Sequence, residues 1–201
     1  MAISSTIQTY DRYSEIYDSE VVEFWEKFPA QTLEQFVSFL PGKRVLDLGS
    51  GSGRDALILE NAGLDVTCLD ASSSMVAMTK QLGFPTIHAD FKHLELDDYS
   101  FDGIWAYTSL IHISSEELVA TINYLKKLIP RNGVILLGLI QGDGSEMVQR
   151  GSMPDAERYF RYYQSDEIDG LMRDSGFELL FSENYQPHNT IYLNRIYRPL
   201  S

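Results

Sequence analysis

The residues of the segment Val45-Leu46-Asp47-Leu48-Gly49-Ser50-Gly51-Ser52-Gly53-Arg54-Asp55 could do chemistry together. Alternating glycines permit positive φ and leave backbone N–H groups unobstructed, so the loop could cradle a ligand. Two further acids follow, Asp70 at 21 residues after Gly49 and Asp90 another 20 residues on. A carboxylate can accept two directional hydrogen bonds, as from a vicinal diol. Each has a competing structural role: the glycines could serve a tight turn, and the acids could cap helices. His112 is a candidate to orient or deprotonate an acceptor hydroxyl or amine, because imidazole titrates near neutrality. Its competing role is a histidine packed at a helix start. His88, His93 and His188 have no partners at ligand spacing, so no metal site is expected.

These residues need a frame, and the hydrophobic pattern supplies one. Short apolar runs at 45–48, 66–69, 85–89, 101–106 and 134–140 read as strands. Helical segments separate them, with Gly63, Gly83 and Pro130 as stops and Ser73 and a Ser114/Glu117 capping box as starts. Val134 to Ile140 lacks alternation, as a strand covered on both faces should. Repeated strand–helix–strand units give an α/β, doubly wound parallel sheet with helices on both faces, whose ligands bind beyond the carboxyl ends of the strands. Residues 6–40 read as two or three helices. A helix capped by Ser165 leads to two β-rich runs, 177–185 and 190–197, joined as a hairpin. The segment 141–164 is long and irregular, the type of segment that forms lids. It concentrates Arg150, Arg158 and Arg161 with Tyr159, Phe160, Tyr162 and Tyr163. Arg161 and Tyr162 are expected to grip a polar or anionic acceptor, against surface pairing with Asp155, Glu157 or Asp166.

Glycine spacing separates cofactor classes. The dinucleotide fingerprint G-x-G-x-x-G places its third glycine at Arg54 or Ala56 in the two possible registers, and neither fits. The observed pattern is D-x-G-x-G-x-G running into Gly53-Arg54-Asp55. It resembles the class I S-adenosylmethionine (SAM) dependent methyltransferases, small-molecule type, over residues 44–140. The resemblance implies a Rossmann-like, mostly parallel seven-stranded sheet ending in a C-terminal antiparallel hairpin. It implies SAM as cofactor, S-adenosylhomocysteine as product and a small molecule as acceptor. It places Asp47 and Gly49 around the methionine end and Asp70 on the ribose, with Ser50, Gly51 and Gly53 as further cofactor-binding residues of the loop. Ala71 and Met75 would flank adenine, Asp90 would accept from the adenine amino group beside Phe91, and Ala106 ends the fourth strand at the cofactor crevice. Met75 also shares a helical face with Met78 and Leu82, which suits a core role. In the family a helical stretch covers the cofactor and often contributes a Tyr, which points to Tyr13 and Tyr17. The segment after Ala106 lacks Asn/Asp-Pro-Pro-aromatic, the mark of amino-methylating enzymes of nucleobases and glutamine.

Composition bounds the partners. The 201 residues suit one domain: a helical cap over 1–40, a cofactor core over 44–140, a lid or acceptor segment over 141–164, and a helix and hairpin over 165–201. A formal charge of -13 with no basic run argues against nucleic acid and anionic membrane. The single cysteine, Cys68, suits a reducing compartment, and the expected location is cytoplasmic, as a monomer or homodimer. Two other classes stay open: a non-catalytic module or partner subunit that holds SAM or S-adenosylhomocysteine, and, less well matched by the glycines, a nucleotide-dependent oxidoreductase.

Overall fold

The computed structural model describes residues 2–26, 29–149, 153 and 156–200. Its nine strands among these residues are β1 (Arg44–Leu48), β2 (Asp65–Asp70), β3 (Thr86–His88), β4 (Gly103–Tyr107), β5 (Val134–Ile140), β6 (Ser145–Val148), β7 (Arg158–Arg161), β8 (Phe177–Tyr185) and β9 (Tyr192–Pro199). Seven form one sheet in the order β3-β2-β1-β4-β5-β9-β8. The first five run parallel, and β9 is antiparallel to both β5 and β8. The order reverses direction at β1 and β4, the switch point where such sheets bind ligands.

Side-chain alternation sorts the core into two layers. Leu46, Leu48, Ile104, Ala106, Ile135 and Leu137 face one side with Leu118, Ile122, Ile168 and Met172. Val45, Trp105, Tyr107, Val134 and Leu136 face the other with Phe36, Ala56 and Leu59. All seven β5 residues are buried, which explains the run's unbroken apolarity. The covering helices are α1 (Ala2–Glu26), α2 (Ala30–Phe39), α3 (Arg54–Asn61), α4 (Ser73–Gln81), α5 (Ser115–Leu125) and α6 (Ser165–Asp174). The Ser114/Glu117 capping box forms. Two other caps differ from the sequence expectation. Ser72, one residue ahead of Ser73, accepts from Met75 N, and Gln164 with Glu167 caps α6 where Ser165 was expected. Each expected serine is instead the first helical residue.

The segment 141–164 is more ordered than its sequence suggests. β6 and β7 pair antiparallel as a separate ribbon, with Ser145 opposite Arg161 and Val148 opposite Arg158. Arg150 and Asp155 lie outside the described residues. No described helix is long and apolar enough to cross a membrane.

Candidate active site

The glycine loop leaves β1 and turns into α3. Gly49 N and Ser50 N both donate to Leu69 O, at 2.7 and 3.0 Å, which pins the loop across β2. Gly49 has φ +74, and a Cβ there would stand 2.3 Å from Ser109 Cβ, so the loop and the β4 end can meet only through a glycine. Gly51 has φ +52, and its Cβ position faces only Tyr17 at 3.7 Å. That side of the loop is a cradle that any side chain would fill. Asp70 fixes the turn from below: Oδ2 accepts from Gly51 N and Oδ1 from Ser72 N, both at 2.8 Å. Burial pushes the Asp70 carboxyl up, and the bonds from Ser72 and Gly51 pull against it.

Helix α1 roofs this loop. It kinks at Tyr13, where φ is -121 and ψ is 25. Asp11 docks it on the start of α4 by accepting from Ser72 Oγ, Ser73 Oγ and Ser74 N. Burial works to raise the Asp11 carboxyl, but these bonds hold it below the usual range. Arg54 donates through Nε and Nη2 to the two oxygens of Asp18, both at 2.9 Å, a fork that ties α3 to the roof. Beneath lies a cavity lined by Thr6, Ile7, Tyr10 and Tyr17 of α1, the loop from Gly49 to Ser52, Arg54 and Asp55. Asp70, Ala71, Met75, Asp90 and Phe91 follow, then Tyr107, Thr108, Ser109, His112 and Ile113. Thr108, at φ 53, is the only non-glycine with positive φ among the described residues. Strain of this kind marks a position held by its surroundings.

His112 sits at the far end in a 3₁₀ turn, residues 110–112. Its Nδ1 lies 2.7 Å from Tyr159 O, which can only accept, so Nδ1 carries the hydrogen. In the neutral ring Nε2 is then an acceptor, and the Tyr10 hydroxyl donates to it at 2.9 Å. Arg158 Nη1 donates to the Tyr10 oxygen at 3.0 Å, with its guanidinium 5.3 Å from the Tyr10 ring centroid. The ribbon and α1 are joined here as well, because Tyr159 N donates to Thr6 Oγ1 at 3.0 Å.

Of the residues singled out in the sequence, the cavity brings together Gly49, Ser50, Gly51, Asp70, Ala71, Met75, Asp90, Phe91, Tyr17 and His112. Met75 is also 1% exposed and belongs to the core, so it serves both roles. Asp47, Gly53 and Ala106 lie behind the lining: Asp47 and Ala106 are buried in the sheet, and Gly53 turns against Thr79 and Leu82. Tyr13 sits at the kink, outside the lining, with the Arg12 guanidinium over its ring. Arg161 is also outside. It donates to Ser115 Oγ and Gly144 O, pairs with Glu167 and lies over Tyr163, so it braces the ribbon against α5 and α6. Tyr162 bonds Glu146 across the ribbon. The sequence pattern does not single out Tyr10, and it names Arg158 and Asp55 only as members of a cluster and of the loop, without a role of their own. Tyr10 lies four residues after Thr6 and seven before Tyr17, a helical spacing that could have identified one face. Among the described residues, no group of three His, Cys, Asp or Glu could hold a metal.

The sheet order with its switch-point cavity is that of a Rossmann-like, doubly wound fold. Residues 45–133 match the methyltransferase domain family. A magnesium-protoporphyrin O-methyltransferase of Synechocystis sp. is 28% identical over 190 residues, 85% of this chain and 82% of that one. An O-methyltransferase of Pyrenophora dematioidea is 24% identical over 168 residues, covering 74% of this chain; the chain spans only 59% of that protein's length. Among solved structures, a DhpI-SAM-HEP complex superimposes with a TM-score of 0.80 at 21% identity, covering 98% of each chain. A 1,6-didemethyltoxoflavin-N1-methyltransferase of Burkholderia thailandensis superimposes with a TM-score of 0.73 at 20% identity, covering 97% of this chain and 88% of that one. The chain is therefore similar to methyltransferases over residues 45–133 in sequence and over nearly its whole length in fold.

Proposed function

We propose that the protein methylates a small-molecule acceptor with SAM as donor, releasing S-adenosylhomocysteine. The observation that carries the reading is the single cavity surface that runs from the Gly49–Ser52 loop, past Asp70 and Asp90, to Tyr10 and His112. The lining fits the cofactor. It contains Asp55, Asp70 and Asp90, no lysine, and one arginine already paired with Asp18, which suits a cationic ligand without phosphate. Gly51 leaves room for it, Asp70 would accept from ribose hydroxyls, and Asp90 with Phe91 would hold adenine.

SAM supplies a methyl group already activated by a sulfonium, so the chain's work is chiefly positioning, which can supply roughly 7–11 kcal/mol. His112 Nε2 accepts from the Tyr10 hydroxyl while Nδ1 is held by Tyr159 O, so an acceptor hydroxyl or amine that takes the place of the Tyr10 hydroxyl meets the Nε2 lone pair. That arrangement suits a proton acceptor for a hydroxyl or amine. A module that only stores SAM has no need of it, and this favours an enzyme. Arg161 and Tyr162 lie away from this end, so Tyr10, Tyr17 and His112 replace them as acceptor-facing residues. The same reading carries the expectation of a cytoplasmic monomer or homodimer with no nucleic-acid partner.

Calorimetry with SAM, S-adenosylhomocysteine, NAD and ATP, followed by a methyl-transfer screen of small acceptors, tests the reading. SAM and S-adenosylhomocysteine should bind, and a bound ligand raises the melting temperature by mass action. Binding of NAD without SAM would remove the assignment. SAM binding without turnover on any acceptor would leave the storage module.

A further inference from the structure

The buried acids beneath the glycine loop have no part in positioning the acceptor. Alternation along β1 turns Asp47 to the same face as Val45, and its in-register neighbours are Cys68 on β2 and Trp105 on β4. The Trp105 indole N–H donates to Asp55 Oδ2 at 2.5 Å, so the first turn of α3 brings a second carboxylate onto the strand neighbour of Asp47. Asp47 is 2% exposed and Asp55 8%, and Asp47 Oδ2 has no hydrogen-bond partner. Among the described residues neither carboxylate forms an ion pair, and the adjacent Arg54 turns to Asp18. The titratable groups that face the pair are Cys68 and Asp70 from β2, Tyr107 from β4 and Tyr17 from α1. None of them brings positive charge. Two carboxylates buried in this way cannot both ionise without a large desolvation and repulsion penalty. Burial, reinforced by Asp55 and then Asp70, pushes Asp47 well up, and burial raises Asp55 to about 7. Asp55 also lines the cavity, so a ligand's charge reaches the pair directly.

We propose that below neutral pH Asp47 and Asp55 are both protonated in the unliganded protein, and that Asp55 gives up its proton to solvent when the ammonium of SAM's methionine end enters the cavity beside it, while Asp47 keeps its own. This rests on the SAM-binding reading above. Cofactor affinity would then depend on pH through the protein's own acids. Below neutrality SAM must displace the Asp55 proton; above it, Asp55 is already ionised beside a protonated Asp47, and that one charge waits for a cation.

The test is titration calorimetry of the whole chain with SAM and, separately, S-adenosylhomocysteine, at pH 6 in buffers of contrasting ionisation enthalpy. At that pH the ligand's own ammonium stays protonated, since α-amino groups titrate near 7.7–8.0. We expect close to one proton released per ligand bound. Affinity should tighten about tenfold per pH unit from pH 5 to 6.5 and level off above 7. S-adenosylhomocysteine keeps the ammonium and lacks the sulfonium, so it should release the same proton. Asp55→Asn should still bind, with the release reduced to near zero and the pH dependence flattened; Asp55→Ser is the second variant should Asp55→Asn fail to fold. Ligand binding with identical heats in every buffer would overturn the proposal and leave the methyltransferase reading intact. Full proton release from a folded variant would also overturn it. No binding of either ligand would instead remove the reading beneath it.

Discussion

Asp55→Asn should make the unliganded protein more stable above neutral pH, and the structure fixes both the sign and the ceiling. Asparagine is nearly isosteric, and its Oδ1 can still accept from the Trp105 indole. What disappears is a buried carboxylate whose burial raises it from 3.8 to about 7. The folded state therefore holds this proton more tightly than the unfolded state. Wild-type stability falls as pH rises from 3.8 through about 7, and above that the loss is complete. A displacement of that size corresponds to about 4 kcal/mol. Local relaxation reduces it, so a gain of about 2–4 kcal/mol is expected at pH 8, or roughly 5–15 °C in melting temperature for a chain of this length. At pH 4 the two proteins should melt within about 2 °C of each other, because the wild-type carboxyl is then protonated as well. Thermal unfolding followed by circular dichroism between pH 4 and 8.5 reads both ends. A variant less stable at pH 8, or a stability difference independent of pH, would refute the argument that this carboxylate is buried without a compensating charge.

Tyr10→Phe keeps the ring contacts and removes the hydroxyl shared by His112 and Arg158. It should cost about 1–3 kcal/mol in unfolding free energy, and kcat should fall more than SAM affinity once an acceptor is found. Asp70→Ala removes the acceptor of two backbone N–H groups, so it should lower stability by about 2–4 kcal/mol as well as weaken SAM binding, as denaturant unfolding and calorimetry can show. Gly138→Ala would place a Cβ 2.6 Å from the Tyr107 ring, and should cost about 1–3 kcal/mol by overpacking β5 against a residue of the cavity wall, measured by chemical denaturation. Arg161→Ala should lower the melting temperature by releasing the ribbon from α5 and α6, with SAM affinity unchanged within about twofold.

The sheet was legible because its strands obey simple rules. An unbroken apolar run such as 134–140 has one outcome in a sheet covered on both faces, and all of it is buried. The glycine loop was legible because φ values of +74 and +52 favour glycine, and at Gly49 a Cβ would also stand 2.3 Å from Ser109. The ribbon was not legible. β7 alternates as Arg158, Tyr159, Phe160, Arg161, with Arg158 only 6% exposed, so its inward face includes a charged residue that a hydrophobic pattern assigns to solvent. Arg158 can be buried because Tyr10, 148 residues away, accepts from it, and no local pattern contains that contact. Tyr17 and Tyr10 meet as an edge-to-face pair at 5.1 Å along one face of α1, whereas Tyr13 falls at the kink that turns the helix.

The same separation explains why the acceptor end resists reading from sequence more than the cofactor end. The loop, Asp70 and Asp90 lie at the ends of consecutive strands, so chain order alone brings them together once the sheet is parallel. His112 depends on three distant elements: β4 to place it, the ribbon to fix its tautomer through Tyr159 O, and α1 to bring Tyr10 to its other nitrogen. None of these contacts is dictated by its own neighbours in sequence. Tyr159 N holds α1 through Thr6, so a change in the ribbon shifts the roof and the histidine together. The His112 end of the cavity is therefore the part that substitutions in α1 and the ribbon can remodel without disturbing the strands that hold the glycine loop, so on the proposed function specificity has room to diverge there while the loop stays fixed.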